Sequence, residues 1–137
     1  MKRILPLFLL FALLLSLTSC GGMTLFSNVS SANSEIYTDE EIAAAMDEVK
    51  KEFQRTRKGC VLLSVSYRGD AVLESYNYKK YAEQNQADDV IVIHTDFYVP
   101  AFADVHGLET NYKYENWSCV LLRYDGGDWE YFTGGYP

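Results

Sequence analysis

The sequence predicts an α+β domain: two helices packed on one face of a curved, mainly antiparallel four-stranded sheet, preceded by a signal peptide and a flexible tether. Three stretches carry that expectation. Residues 38–59 hold a capped amphipathic helix, and residues 90–99 (VIVIHTDFYV) form a long β-rich run stopped by Pro100. Two further strand-like runs, 117–124 and 129–133, flank Asp125-Gly126-Gly127-Asp128, a hairpin signal. Helix, strand, helix and then a three-strand meander is an order that favours helices segregated against an antiparallel sheet.

The first twenty residues precede this domain. Lys2 and Arg3 form a short positive start, and residues 4–17 are almost wholly apolar, the charged-then-oily order of an export signal. The oily run is shorter than the roughly 20 residues a helix needs to span a bilayer. An ordinary signal ends in an A-x-A-like site; this one ends in Leu17-Thr18-Ser19-Cys20. That tetrapeptide closely resembles the lipobox of bacterial lipoproteins. The resemblance implies that the Cys20 thiol receives a diacylglyceryl group and that cleavage falls just before it. The chain then divides into a signal peptide (1–19), the lipidated cysteine with a tether (20–37) and one α+β domain (38–137). Two acyl chains hold a protein firmly where one gives only reversible binding. The expected place is therefore the outer face of a bacterial plasma membrane, with the bilayer as partner through Cys20.

Removing residues 1–19 leaves 118 residues, enough for one domain with a real core and too few for two. Lys2 and Arg3 leave with the signal, so the net charge moves from −7 to −9. An acidic surface excludes nucleic acid as an expected partner and disfavours lying flat on anionic lipid.

Each element has its own local reason. Residues 21–37 (GGMTLFSNVSSANSEIY) are rich in Ser, Asn and Gly without periodicity, which reads as tether. Thr38 and Glu41 then make a capping box, and Ile42, Met46, Val49 and Phe53 share one helical face. Acidic residues open this helix, basic ones close it, and Gly59 stands at the C′ position. Residues 60–67 (CVLLSVSY) read as a strand, followed by a turn at Arg68-Gly69-Asp70 that chance explains better than integrin recognition. Residues 73–85 have the formers and spacing of a second helix with Leu73, Tyr76 or Tyr78, Tyr81 and Ala82 inward. In the run 90–99, Ile91, Ile93, Thr95, Phe97 and Val99 share a core-like face. The other face, Val90, Val92, His94, Asp96 and Tyr98, turns polar towards its end. Residues 101–115 read as a long loop, a length that often carries function.

The lipobox, the helix followed by Lys58-Gly59-Cys60, the run from Val90-Ile91-Val92-Ile93 to Asp96-Phe97-Tyr98-Val99, and the ending Gly127-Asp128-Trp129 to Gly134-Gly135-Tyr136 together resemble a family of uncharacterised Gram-positive lipoproteins. The resemblance implies a cone-shaped α+β fold of the nuclear-transport-factor-two or cystatin type. It implies no catalytic residue.

Two constellations are candidates for function. Tyr112, Tyr114 and Trp117 form an aromatic cluster suited either to core packing or to stacking on sugar or peptide. His94 and Asp96, with Asp104 and His106 in the following loop, could share a proton or ligate a divalent ion. On a strand, however, residues two apart are separated by nearly 7 Å. No nucleophile–histidine motif, C-x-x-C pair or phosphate-binding glycine loop occurs, so no catalytic residue, metal or cofactor is expected. Cys60 and Cys119 could pair in an oxidising compartment, but an intervening central strand favours two buried thiols. The expected activity is non-enzymatic binding of a protein, peptide or glycan, with a small-molecule or enzymatic site using His94 and Asp96 as the alternative.

Overall fold

The computed structural model describes residues 27–137. The signal peptide read over residues 1–19, Cys20 and the first part of the tether lie outside the described residues. In chain order the elements are β1 (Asn28–Ser31), α1 (Asp39–Thr56), β2 (Val61–Tyr67), α2 (Val72–Ser75), α3 (Lys79–Asn85), β3 (Asp89–Val99), β4 (Tyr112–Arg123) and β5 (Glu130–Gly135). They form an open five-stranded sheet in the order β1-β2-β3-β4-β5. β1 runs parallel to β2, and every other neighbouring pair is antiparallel. The α+β class holds, with five strands where the sequence suggested four and three helices where it suggested two.

The extra strand, β1, lies inside the stretch that reads as tether. Its four side chains are all exposed, so it has no hydrophobic alternation to betray it. It is held by its ladder from Asn28↔Ser64 to Ser31↔Tyr67 and by Ala32 N donating to Tyr67 O at 3.0 Å. Beyond it, Ser34 Oγ donates to Asp70 Oδ1 at 2.6 Å and Glu35 N donates to Oδ2 at 2.8 Å. Tyr67 Oη also donates to Asp70. These bonds, led by that from Ser34, hold the Asp70 carboxyl below its usual range. The aspartate of the Arg-Gly-Asp turn is thus a clamp on the N-terminal segment. Tyr37 follows, buried, with its hydroxyl donating to Val90 O at 2.5 Å.

α1 starts where the sequence places it but ends at Thr56 with Arg57 as its C-cap, so Gly59 stands one residue beyond the expected C′ position. Thr38 Oγ1 accepts from Glu41 N at 3.2 Å, while Glu41 Oε2 accepts from Thr38 N at 2.8 Å, completing the capping box. Its buried face is Ile42, Ala45, Met46, Val49 and Phe53. Each of the four larger side chains stabilises by about 1.5–3 kcal/mol when fully buried, so tertiary packing holds the helix more than propensity does. Phe53 meets Phe97 of β3 with ring centroids 5.7 Å apart.

The second helix is broken. Asn77 adopts a left-handed φ of 57°, which ends α2 after one turn and starts α3 afresh. Leu73, Tyr78 and Ala82 face inward, whereas Tyr76 points to solvent. The two short helices also lie on the opposite face of the sheet from α1. Tyr78 Oη bonds Ser118 Oγ at 3.1 Å, and Ser118 stands opposite His94. Phe97, under α1, is an odd number of places from His94 along regular β3, and alternation puts the two on opposite faces. The expectation of both helices on one face is therefore corrected. Val90 and Val92 are as buried as Ile91 and Ile93. A strand apolar on both faces is one covered on both faces.

The β4–β5 turn is as anticipated. Asp125 and Gly126 both take positive φ (52° and 65°), and Gly127 N donates to Tyr124 O at 2.9 Å, a tight primed turn. β4 begins five residues before the predicted strand, so the loop after β3 is shorter than the sequence suggests.

Candidate functional site

The end of the sheet where β3 stops and β4 starts gathers aromatic rings. Tyr112 and Tyr114 stand opposite Val99 and Phe97, and Trp117 stands opposite Thr95. Three places apart on one strand, Tyr114 and Trp117 would face opposite ways. A bulge at residues 115–116, with Asn116 at φ 58°, resets the alternation and brings both to the α1 side. Asp96 Oδ1 pins that bulge by accepting from Asn116 N at 2.8 Å.

The resulting cluster is continuous. Tyr114 stacks on Phe97 (5.0 Å between centroids, 11° between planes) and meets Trp117 edge-on at 5.7 Å. Tyr112 packs edge-on against Tyr114 at 4.9 Å, and Tyr136 lies against Trp117 at 5.4 Å. The Arg57 guanidinium sits 4.7 Å from the Phe97 centroid and 4.9 Å from that of Trp117, so the C-terminal end of α1 closes the cluster with a cation–π contact. Phe97 is buried, but Tyr112 is 45% and Tyr136 55% exposed. Phe102, 82% exposed, belongs to the same end: its ring lies over Gly59, just past α1. Gly134 makes room for the cluster from β5, because a Cβ there would collide with Tyr131 Oη and come within 2.7 Å of Trp117 Nε1.

His94 and Asp96 lie on the other face of the sheet. The five residues singled out in the sequence therefore do not form one surface. His94 is 7% exposed and its Nδ1 has no partner. Burial, aided by the Arg68 charge, pushes its pKa down to about 4, so at neutral pH it is a neutral ring. Asp96 is engaged with the Asn116 amide, as described. Asp104 and His106 are exposed in the loop after β3, and no hydrogen bond or ion pair draws either towards the strand pair. Among the described residues no three His, Cys, Asp or Glu side chains converge as metal ligands. Five surface cavities of 10 to 450 Å³ are lined by neither His94 nor Asp96.

Cys60 and Cys119 are both free and buried. β3 separates their strands, and they sit at different levels: Cys119 stands opposite Ile93, while Val61, next to Cys60, stands opposite Tyr98. Burial raises the Cys60 thiol and pushes Cys119 up to about 11, both away from the thiolate form.

The opposite end of the molecule carries a feature that sequence reading missed. A 450 Å³ groove runs between the first turns of α1 and the β4–β5 hairpin, lined by Trp129, by Glu40, Asp47, Glu48 and Asp128, and by Lys51, which pairs with Glu48 at 3.5 Å. Arg123 also lines it, bonded to Glu41 at 2.6 Å and Asp89 at 2.8 Å, with its guanidinium 4.4 Å from the Trp129 centroid. The separate runs of acid in α1 and the hairpin were visible; their meeting was not. The domain is therefore polar end to end, aromatic where β3 finishes and acidic where it begins.

Comparison of the chain with protein-family models, curated proteins and solved structures found no match.

Proposed function

We propose that the chain is a bacterial lipoprotein of the Gram-positive family it resembles, anchored through a diacylglyceryl group on Cys20 at the outer face of the plasma membrane. Its domain serves there as a non-enzymatic interaction module for a protein, peptide or glycan. The observation that carries the second half is the aromatic end: Phe102, Tyr112 and Tyr136 hold their rings in solvent at the end where Arg57 lies over Phe97 and Trp117. Exposed rings gathered at one end of a small domain, two of them linked through Tyr114, suit an interaction surface. The alternative, an enzymatic or small-molecule site on His94 and Asp96, is disfavoured by a buried neutral imidazole and a carboxylate committed to a bulge amide.

Two measurements test this reading. Cys20→Ser should leave an unprocessed precursor that carries no lipid; a variant still cleaved after residue 19 and still partitioning into detergent would refute the anchor. A photo-crosslinking residue at position 112 in intact cells should give adducts that one at position 126, in the exposed hairpin turn, does not. Equal adduct formation at the two positions would refute the surface.

A further inference from the structure

The direction in which the chain enters the domain sets what the aromatic end meets. β1 is parallel to β2 and so antiparallel to β3, with Asn28 level with Ser64 and Ser64 opposite Asp96. The chain before Asn28 therefore emerges towards the finish of β3, the end that bears Phe102, Tyr112 and Tyr136. Only seven residues, 21–27, separate Cys20 from Asn28. Fully extended they span at most about 25 Å. An anchor at Cys20 holds this end close to the bilayer and turns the other end away.

The chemistry of the two ends agrees. Tyrosine and phenylalanine rings with arginine or lysine beside them suit the polar–apolar boundary of a bilayer, where amphipathic rings and snorkelling cations are stabilised. Here the cations are Arg57, lying over Phe97 and Trp117, and Lys58 at the end of α1, together with Lys113 on β4, which is paired with Glu115 at 2.5 Å. Asp104, Glu109 and Glu115 accompany them, so this end is close to neutral. The domain's excess negative charge is concentrated instead around the groove at the start of α1 and the β4–β5 hairpin. That distribution removes the objection that a −9 domain avoids an anionic surface, because the repelled end is the one held farthest off.

We infer that the aromatic end is a membrane-docking face: Phe102, Tyr112 and Tyr136 seat in the headgroup region of the bilayer that holds Cys20, and the acidic groove is presented outward. This rests on the lipid anchor proposed above and assigns the aromatic surface to the bilayer in place of a protein, peptide or glycan. The two tryptophans report it, since Trp117 belongs to the docked end and Trp129 to the distal one.

The test uses lipidated full-length protein in vesicles of phosphatidylcholine and phosphatidylglycerol with brominated acyl chains. In a Trp129→Phe variant the remaining Trp117 emission should be quenched by the brominated lipid, whereas in Trp117→Phe the Trp129 emission should not. Replacing Phe102, Tyr112 and Tyr136 together by Ser should abolish the Trp117 quenching while the protein still floats with the vesicles. Hydrogen exchange of the unsubstituted protein gives the same answer without variants: vesicles should protect residues 100–114 relative to detergent-free, unlipidated protein and leave residues 124–130 unchanged. Floating protein with both tryptophans quenched alike, or with neither quenched, overturns the docking face and leaves the anchor standing. Protein that fails to float overturns the anchor itself. Protection of residues 100–114 by soluble peptidoglycan fragments or peptides without vesicles would reassign the surface to a soluble partner.

Discussion

Tyr37 offers the sharpest check on how the N-terminal segment joins the domain. β2 ends at Tyr67, whose level on β3 is near Ile93, so the carbonyl of Val90 extends past the last β2 residue that could reach it. The Tyr37 hydroxyl takes the place of that missing strand at 2.5 Å, and its ring packs edge-on against Trp129 at 5.7 Å and Tyr67 at 6.5 Å. Burial raises the phenol above its usual range, so it stays a donor throughout the working pH range. Tyr37→Phe keeps the packing and leaves a buried carbonyl unpaired, a loss of about 1–2 kcal/mol. Tyr37→Ala also empties an aromatic site and should cost about 3–5 kcal/mol. For a domain of this size each kcal/mol lowers the melting temperature by roughly 4 °C. A chain starting at Thr38 loses the ring, β1 and the clamp on Asp70 together, and should be at least as destabilised as the Ala variant. Urea unfolding followed by tryptophan emission measures all three, because Trp129 lies against the altered ring. Phe and Ala variants both within about 0.5 kcal/mol of the parent, the scatter of ordinary surface substitutions, would refute the account. So would a Thr38 start that melts like the full domain.

Three further predictions concern other parts of the molecule. His94 is buried and neutral, its folded pKa of about 4 lying below an unfolded value near 6.5; its contribution is complete above pH 6.5 and lost as pH falls towards 4. Allowing for partial solvation of the ring, the loss is about 2 kcal/mol, and His94→Gln should flatten the fall in urea midpoint between pH 7 and pH 4.5. Gly134→Ala should destabilise by about 1–3 kcal/mol through the collision with Tyr131 and Trp117, whereas Gly135→Ala, with nothing within 4 Å, should not; near-ultraviolet circular dichroism and thermal melts distinguish them. Cys60 and Cys119 should resist alkylation in the folded protein and both react once it is denatured without reductant; a mass showing neither modified would mean a disulfide.

Much of the architecture was legible because its causes are local. The capping box at Thr38 and Glu41, the apolar face from Ile42 to Phe53, and the Asp-Gly turn are each written within a few residues. So was the run 90–99. Its apolar residues on both faces already implied cover on both faces, a meaning that the simpler picture of one helical layer passed over. The aromatic cluster could be named from residues 112–117, but its geometry could not, since it depends on a bulge pinned by Asp96 from the neighbouring strand. The acidic groove has no motif at all, because its walls are more than seventy residues apart in the chain.

Periodicity, capping and turn chemistry over short separations specify α1, β3, the terminal hairpin and the α+β class. Tertiary structure alone decided that β1 is a strand, that α2 and α3 take the face opposite α1, and that His94 and Tyr114 point away from each other. An exposed edge strand such as β1 is held by backbone ladder bonds, which any side-chain sequence can make, so its letters carry no periodic trace. The side of the sheet a short helix covers depends on where a connection lands, and the facing of a side chain beyond a bulge depends on one extra residue. Those quantities are set by partners distant in the chain, and no local pattern encodes them.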